Sequence, residues 1–67
     1  MVLKNRIREL RAAKGLSQHR LADAVKISRQ SMNAIENLRH DPSVTLAFAI
    51  AGVLEVPVTE VFIEEKT

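Results

Sequence analysis

Ser17-Gln18-His19-Arg20-Leu21-Ala22-Asp23-Ala24-Val25-Lys26-Ile27-Ser28-Arg29-Gln30-Ser31-Met32-Asn33-Ala34-Ile35-Glu36-Asn37 reads as two short helices in tandem. Ser17 and Ser28 each stand where an N-cap is needed. A serine hydroxyl there accepts a hydrogen bond from a first-turn backbone N–H that has no partner inside the helix. Behind Ser17 the apolar set is Leu21, Ala22 and Val25; behind Ser28 it is Met32 and Ile35. This spacing predicts helices over residues 17–25 and 29–37 with a three-residue turn between them. Two short helices joined in that way are a helix-turn-helix.

The second helix carries the chemistry. At about 3.6 residues per turn, Met32 and Ile35 share one face, and Gln30, Asn33, Ala34 and Asn37 lie opposite, with Arg29 at the edge. The outer face is therefore three amides, a guanidinium and one small residue that permits close approach. Arginine matches guanine O6 and N7, asparagine and glutamine match adenine N6 and N7, and alanine can touch a thymine methyl. A merely solvated face would favour Glu and Lys, since Asn is a poor helix former. The N-termini of both helices, at Ser17 and Ser28, add free N–H groups and a partial positive charge suited to phosphate.

Working outward, Leu3, Ile7 and Leu10 keep helical spacing, with Lys4, Arg8, Arg11 and Lys14 on adjoining faces. That predicts a first amphipathic helix ending near Lys14, with Gly15 past its end. Asp41-Pro42-Ser43 breaks the chain after the third helix, because Pro42 disfavours helix at Asp41 and Ser43 can cap the next one. A fourth helix is expected over residues 44–54, and a short fifth from Pro57 to about Val61 or Phe62. Val2-Leu3 and Phe62-Ile63-Glu64 are candidate terminal strands that could pair into a small β-ribbon.

Length and composition bound what such a chain can be. Its 67 residues are expected to form one domain spanning 1–67, with a core of only a few kcal/mol. There is no cysteine, so neither a disulfide nor a thiolate metal site can reinforce it, and His19 and His40 lie 21 positions apart. No cofactor and no metal are expected. Tyr and Trp are absent, which argues against stacking of unpaired bases. Glycines are isolated and no serine has a histidine partner in plausible reach, so no catalytic residue is expected. The longest nearly uncharged apolar run, Val44 to Leu54, is too short for a bilayer span, and the N-terminus lacks a signal-peptide hydrophobic region. The expected location is cytoplasmic.

Net charge is only +2, but residues 1–40 hold nine of the ten Lys and Arg against three acids, a net of +6. Residues 41–67 hold one Lys against five acids, a net of −4. A basic half next to an acidic half points to a polyanionic partner on one side.

The residues also carry a resemblance. The run from Asn5 to Gln18, then Leu21-Ala22, Ile27-Ser28-Arg29-Gln30-Ser31, Ile35-Glu36-Asn37 and Asp41-Pro42-Ser43, resembles the phage repressor and Cro family of Xre-like regulators in its short single-domain form. The resemblance implies an all-α, five-helix, lambda-repressor-like domain that binds operator DNA as a dimer and sets residues 29–37 in the major groove. It implies Arg29, Gln30 and Asn33 as base readers, with Ala34 beside them. It implies phosphate contacts from Ser17, Gln18, Ser28, Asn37, Arg39 and His40, with Gln18 also bracing residue 29. Arg11 and Glu36 fall where the family has a structural ion pair. One position departs: the family often has Gly after the Glu-Asn pair, and this chain has Leu38. Leucine would be strained at positive φ, so the expectation is a slightly different turn that still presents backbone N–H groups.

Helix four has more apolar residues than one buried stripe needs. Beyond the expected stripe of Leu46, Ala47, Ile50, Ala51 and Leu54 stand Phe48, Ala49, Gly52 and Val53, and further on Val56, Val58, Val61 and Ile63. A symmetric homodimer is expected through Phe48, Val53, Val58, Val61 and Ile63. The leading expectation is a sequence-specific double-stranded DNA-binding transcriptional repressor, with a protein co-regulator as a further candidate partner. An antitoxin repressing its own operon, or a helix-turn-helix module for protein interaction, are the alternatives.

Overall fold

The computed structural model describes residues 2–65, with side chains over 4–64. Met1, Lys66 and Thr67 of the expected 1–67 domain lie outside the described residues. The order is β1 (Val2–Asn5), α1 (Ile7–Lys14), α2 (Gln18–Ala24), α3 (Arg29–Glu36), α4 (Val44–Leu54), α5 (Val58–Val61) and β2 (Phe62–Glu65). The two strands pair antiparallel, Leu3 opposite Glu64 and Asn5 opposite Phe62. The fold is thus five helices closed at the chain ends by a two-stranded ribbon.

Three serines start three helices. Ser17, Ser28 and Ser43 accept from the backbone N–H of Arg20, Ser31 and Leu46 at 3.0, 3.0 and 3.1 Å. Each such cap is worth about 1 kcal/mol against alanine. Gly15 ends α1 in the left-handed conformation, φ 66°. Three other turns reach the same region without glycine: Lys26, Leu38 and Glu55 have φ of 61°, 61° and 60°. Leu38 therefore keeps the positive-φ turn that glycine usually makes, in place of the different turn expected. The turn also spends its N–H groups internally: Leu38 N–H donates to Ile35 O at 3.1 Å and Arg39 N–H to Ala34 O at 2.9 Å.

The first helix is shorter than Leu3, Ile7 and Leu10 suggest. Residues 2–5 are strand, and the helix begins at Ile7. Asn5 makes the break. Its Oδ1 accepts from Ile7 N–H at 3.3 Å, and its Nδ2 donates to Ile35 O at the end of α3, 2.9 Å away. Arg6 N–H donates to Val61 O at 2.8 Å, which holds the strand against the end of α5.

The core is Ile7, Leu21, Ala22, Met32, Ile35, Ile50, Ala51, Leu54 and Val61, drawn from all five helices. Val61 corrects an expectation. The sequence puts it on the dimer surface, but it is fully buried in this chain's own core. Val53 and Val58 are half-buried and pack against that core. Of the expected dimer residues, Phe48 at 60 % and Ile63 at 41 % exposure remain on the surface, joined by Val44 at 73 %.

Candidate nucleic-acid interface

Met32 and Ile35 are buried, and this orients α3. With those two facing inward, Arg29, Gln30, Asn33 and Asn37 are exposed, and Ala34 is half-buried at the border. Gln18, the first residue of α2, reaches the same face. A shallow open cleft is lined by Gln18, Arg29, Gln30 and Asn33. The two halves of the helix-turn-helix thus meet at their polar side chains as well as through their apolar ones.

Gln18 does not brace residue 29. Its Nε2 donates to Asn33 Oδ1 at 3.3 Å, one turn further along α3. Asn33 Oδ1 also accepts from Asn37 Nδ2 at 3.0 Å, and the same Nδ2 donates to the Asn33 carbonyl at 2.9 Å. Asn37 Oδ1 in turn accepts from Arg8 Nη2 at 3.4 Å. A polar chain therefore runs along the outer face from α1 through the end of α3 to the start of α2. Arg8 was not singled out in the sequence as a site residue. Its link to Asn37 crosses 29 positions, and no local spacing announces it.

Behind this chain lies a part-buried ion pair. Arg11 Nε and Nη2 donate to the two carboxylate oxygens of Glu36 at 2.9 and 3.0 Å, and Nη1 donates to Leu16 O at 3.0 Å. The Glu36 side chain is 1 % exposed and that of Arg11 13 %. Arg8 approaches the same carboxylate from the solvent side at 3.6 Å. The bidentate geometry fixes the last turn of α3 against α1.

The expected phosphate-contacting residues divide. Ser17 Oγ accepts from Arg20 N–H, and Ser28 Oγ accepts from Ser31 N–H while donating to Ser31 Oγ at 2.9 Å, so both hydroxyls are engaged as caps. Arg39 and His40 are exposed after α3, but the Leu38 and Arg39 N–H groups are not free to meet a phosphate. His19 Nε2 lies 3.4 Å from Asp23 Oδ2, one turn along the exposed face of α2. Among the described residues, no three of His, Cys, Asp and Glu gather as a metal site. Nor is any described helix long and apolar enough to cross a membrane.

Two capped helices and an arginine-and-amide face on the second define a DNA-binding helix-turn-helix domain. The helix-turn-helix family model matches residues 7–61. A transcriptional regulator of the helix-turn-helix type from Methanocaldococcus jannaschii is 41 % identical over 63 residues, 94 % of this chain and 96 % of that one. The immunity repressor of Bacillus phage phi105 is 34 % identical over 65 residues, 97 % of this chain but 45 % of the phage protein. The crystal structure of the restriction-modification controller protein C.AhdI from Aeromonas hydrophila superposes with a TM-score of 0.75 at 33 % identity, over 81 % of this chain and 82 % of that one. The chain belongs to the helix-turn-helix family of Xre-like transcriptional regulators. That family is one of regulators and not of enzymes.

Proposed function

We propose that this chain is a sequence-specific repressor that binds double-stranded operator DNA as a homodimer, each copy setting α3 in the major groove. The carrying observation is the cleft lined by Gln18, Arg29, Gln30 and Asn33, four base-matching side chains on one outer face of α2 and α3. Arg29 and Gln30 stand on the first turn of α3, and the N-terminal residues of a recognition helix are the ones that contact base edges. Arg39 and His40 meet the backbone through their side chains. The name of the phage relative supports repression over activation. Residues 1–67 act as one DNA-binding domain, and the working compartment is the cytoplasm. Two copies joined through the exposed Phe48 face would set their recognition helices about 34 Å apart, one turn of DNA.

The test is selection of bound duplexes from a random pool, followed by titration of variants against the selected site. Arg29→Ala and Gln30→Ala should each cost about 1–3 kcal/mol of affinity and relax preference at one or two base pairs of each half-site. A pool that never enriches refutes DNA reading. A Gln30→Ala protein that keeps every base preference of the parent refutes this placement of α3.

A further inference from the structure

The bonds around Asn33 fix which way its amide faces, and that has a consequence for the base it can read. Swapping O and N in an amide costs nothing in shape, so the direction must come from partners whose chemistry is unambiguous. Two such partners bracket the polar chain. Arg8 can only donate, so the Asn37 atom it meets is the oxygen. The other Asn37 atom faces the Asn33 backbone carbonyl at 2.9 Å, which can only accept, so it is the nitrogen. That nitrogen also lies 3.0 Å from the Asn33 side chain, so the Asn33 atom it touches is the oxygen. Gln18 Nε2 donates to the same oxygen at 3.3 Å. A carbonyl oxygen has two lone pairs, and here both are taken.

Asn33 thus keeps its Nδ2 for an incoming partner and withholds its Oδ1. Bidentate recognition of adenine needs both, one to accept from N6 and one to donate to N7. Guanine presents two acceptors, N7 and O6, in the same place. We propose that Asn33 reads its base pair as a donor only, preferring guanine, whose N7 and O6 both accept, over adenine, whose N7 accepts but whose N6 donor is left without an acceptor, with Gln18 and Asn37 as the positioning residues that hold it so. This rests on the DNA-binding reading above and reverses the usual pairing of asparagine with adenine.

The experiment is base-by-base competition on the selected operator. Asn33→Ala locates the pair, because preference should flatten there and nowhere else. The parent should favour a G·C pair at that position over A·T by at least about tenfold. Asn33→Asp keeps an oxygen for Gln18 and Asn37 but turns an acceptor outward, so the preferred base on the strand read should invert from guanine to cytosine, whose N4 donates. Gln18→Leu frees one lone pair from α2 without altering α3, and Asn37→Ala frees the other. Each should lower the discrimination of G·C over A·T several-fold at the pair that Asn33→Ala locates, and Gln18→Leu keeps the test open should Asn37→Ala fold poorly. An A·T pair favoured by the parent, an unchanged profile in Asn33→Ala, or full discrimination retained in Gln18→Leu overturns the proposal while leaving operator binding intact. A parent that selects no duplex removes both.

Discussion

Arg11→Ala is expected to be the most damaging polar substitution in this chain. Three acceptors lose their donor at once: both oxygens of Glu36 and the carbonyl of Leu16. The carboxylate is the costly one, because its side chain is 1 % exposed and water cannot take the place of the guanidinium. Removing one partner of a buried pair typically costs about 3–5 kcal/mol. Arg8, at 3.6 Å and mostly in solvent, remains as a screened second cation and moves the expected loss to the lower end, about 3 kcal/mol. A domain of this length holds about 3–10 kcal/mol in total, so the variant should lose about a third of its stability or more. Urea denaturation followed by circular dichroism gives the number. The double variant Arg11→Met with Glu36→Leu should recover most of the loss, since two apolar groups of similar volume leave nothing buried and unpaired. Arg8→Ala should cost less than about 1 kcal/mol. An Arg11→Ala protein within about 1 kcal/mol of the parent would show that water reaches Glu36 and that the pair does not hold α3.

Leu38→Gly should raise the melting temperature by about 2–8 °C, because relief of a left-handed leucine outweighs the entropy glycine adds to the unfolded chain. Leu38 is half-exposed, so little burial is lost, and a lower melting temperature would argue against strain at this turn. Phe48→Glu should keep the fold and reduce the sedimenting species to a monomer, whereas Val61→Glu should unfold the chain, because it buries an unpaired charge; identical sedimentation of parent and Phe48→Glu would remove the Phe48 face from dimerisation. Glu55 titrates below its ordinary value of 4.5, through its hydrogen bond with Lys14 and then the charge of that lysine. The folded value is the lower one, so this stabilisation is complete above about 4.5 and fades as pH falls through the folded midpoint. Lys14→Ala should move the Glu55 carboxyl midpoint upward by NMR titration, and an unmoved midpoint would rule out the pair as the cause.

Much of the helical order was legible because its signals are local. Each serine cap and Pro42 acts on residues within one turn, and these set three of the helix starts. Misreadings came where a distant partner overrode local spacing. Leu3 fits the helical stripe of Ile7 and Leu10, but Asn5 bonds to Ile35 O across 30 positions and ends the strand there. Lys26, Leu38 and Glu55 adopt positive φ with no glycine to announce it, since closing a helix end can outweigh about 1–2 kcal/mol of local strain. An apolar surplus in the last third does not say which residue turns inward. Val61 does so at the end of α5, where its carbonyl is tied to Arg6 N–H.

The candidate site divides in the same way. Which residues of α3 face outward follows from Met32 and Ile35 alone, and Arg29, Gln30 and Asn33 are where the helical period puts them. What each offers to a partner does not follow, because an amide's direction depends on bonds from other elements. Here α1 supplies both controls. Arg8 and Arg11 are one turn apart, and they meet the last residue of α3 and its C-cap on opposite sides, Asn37 in solvent and Glu36 in the interior. The buried contact fixes where the last turn of α3 sits; the exposed one fixes which way the Asn37 amide points, and through it Asn33. Retargeting this domain by exchanging residues 29–34 alone would therefore carry over an orientation set from residues 8, 18 and 37. An asparagine kept at position 33 would still face the same two donors, Gln18 Nε2 and Asn37 Nδ2.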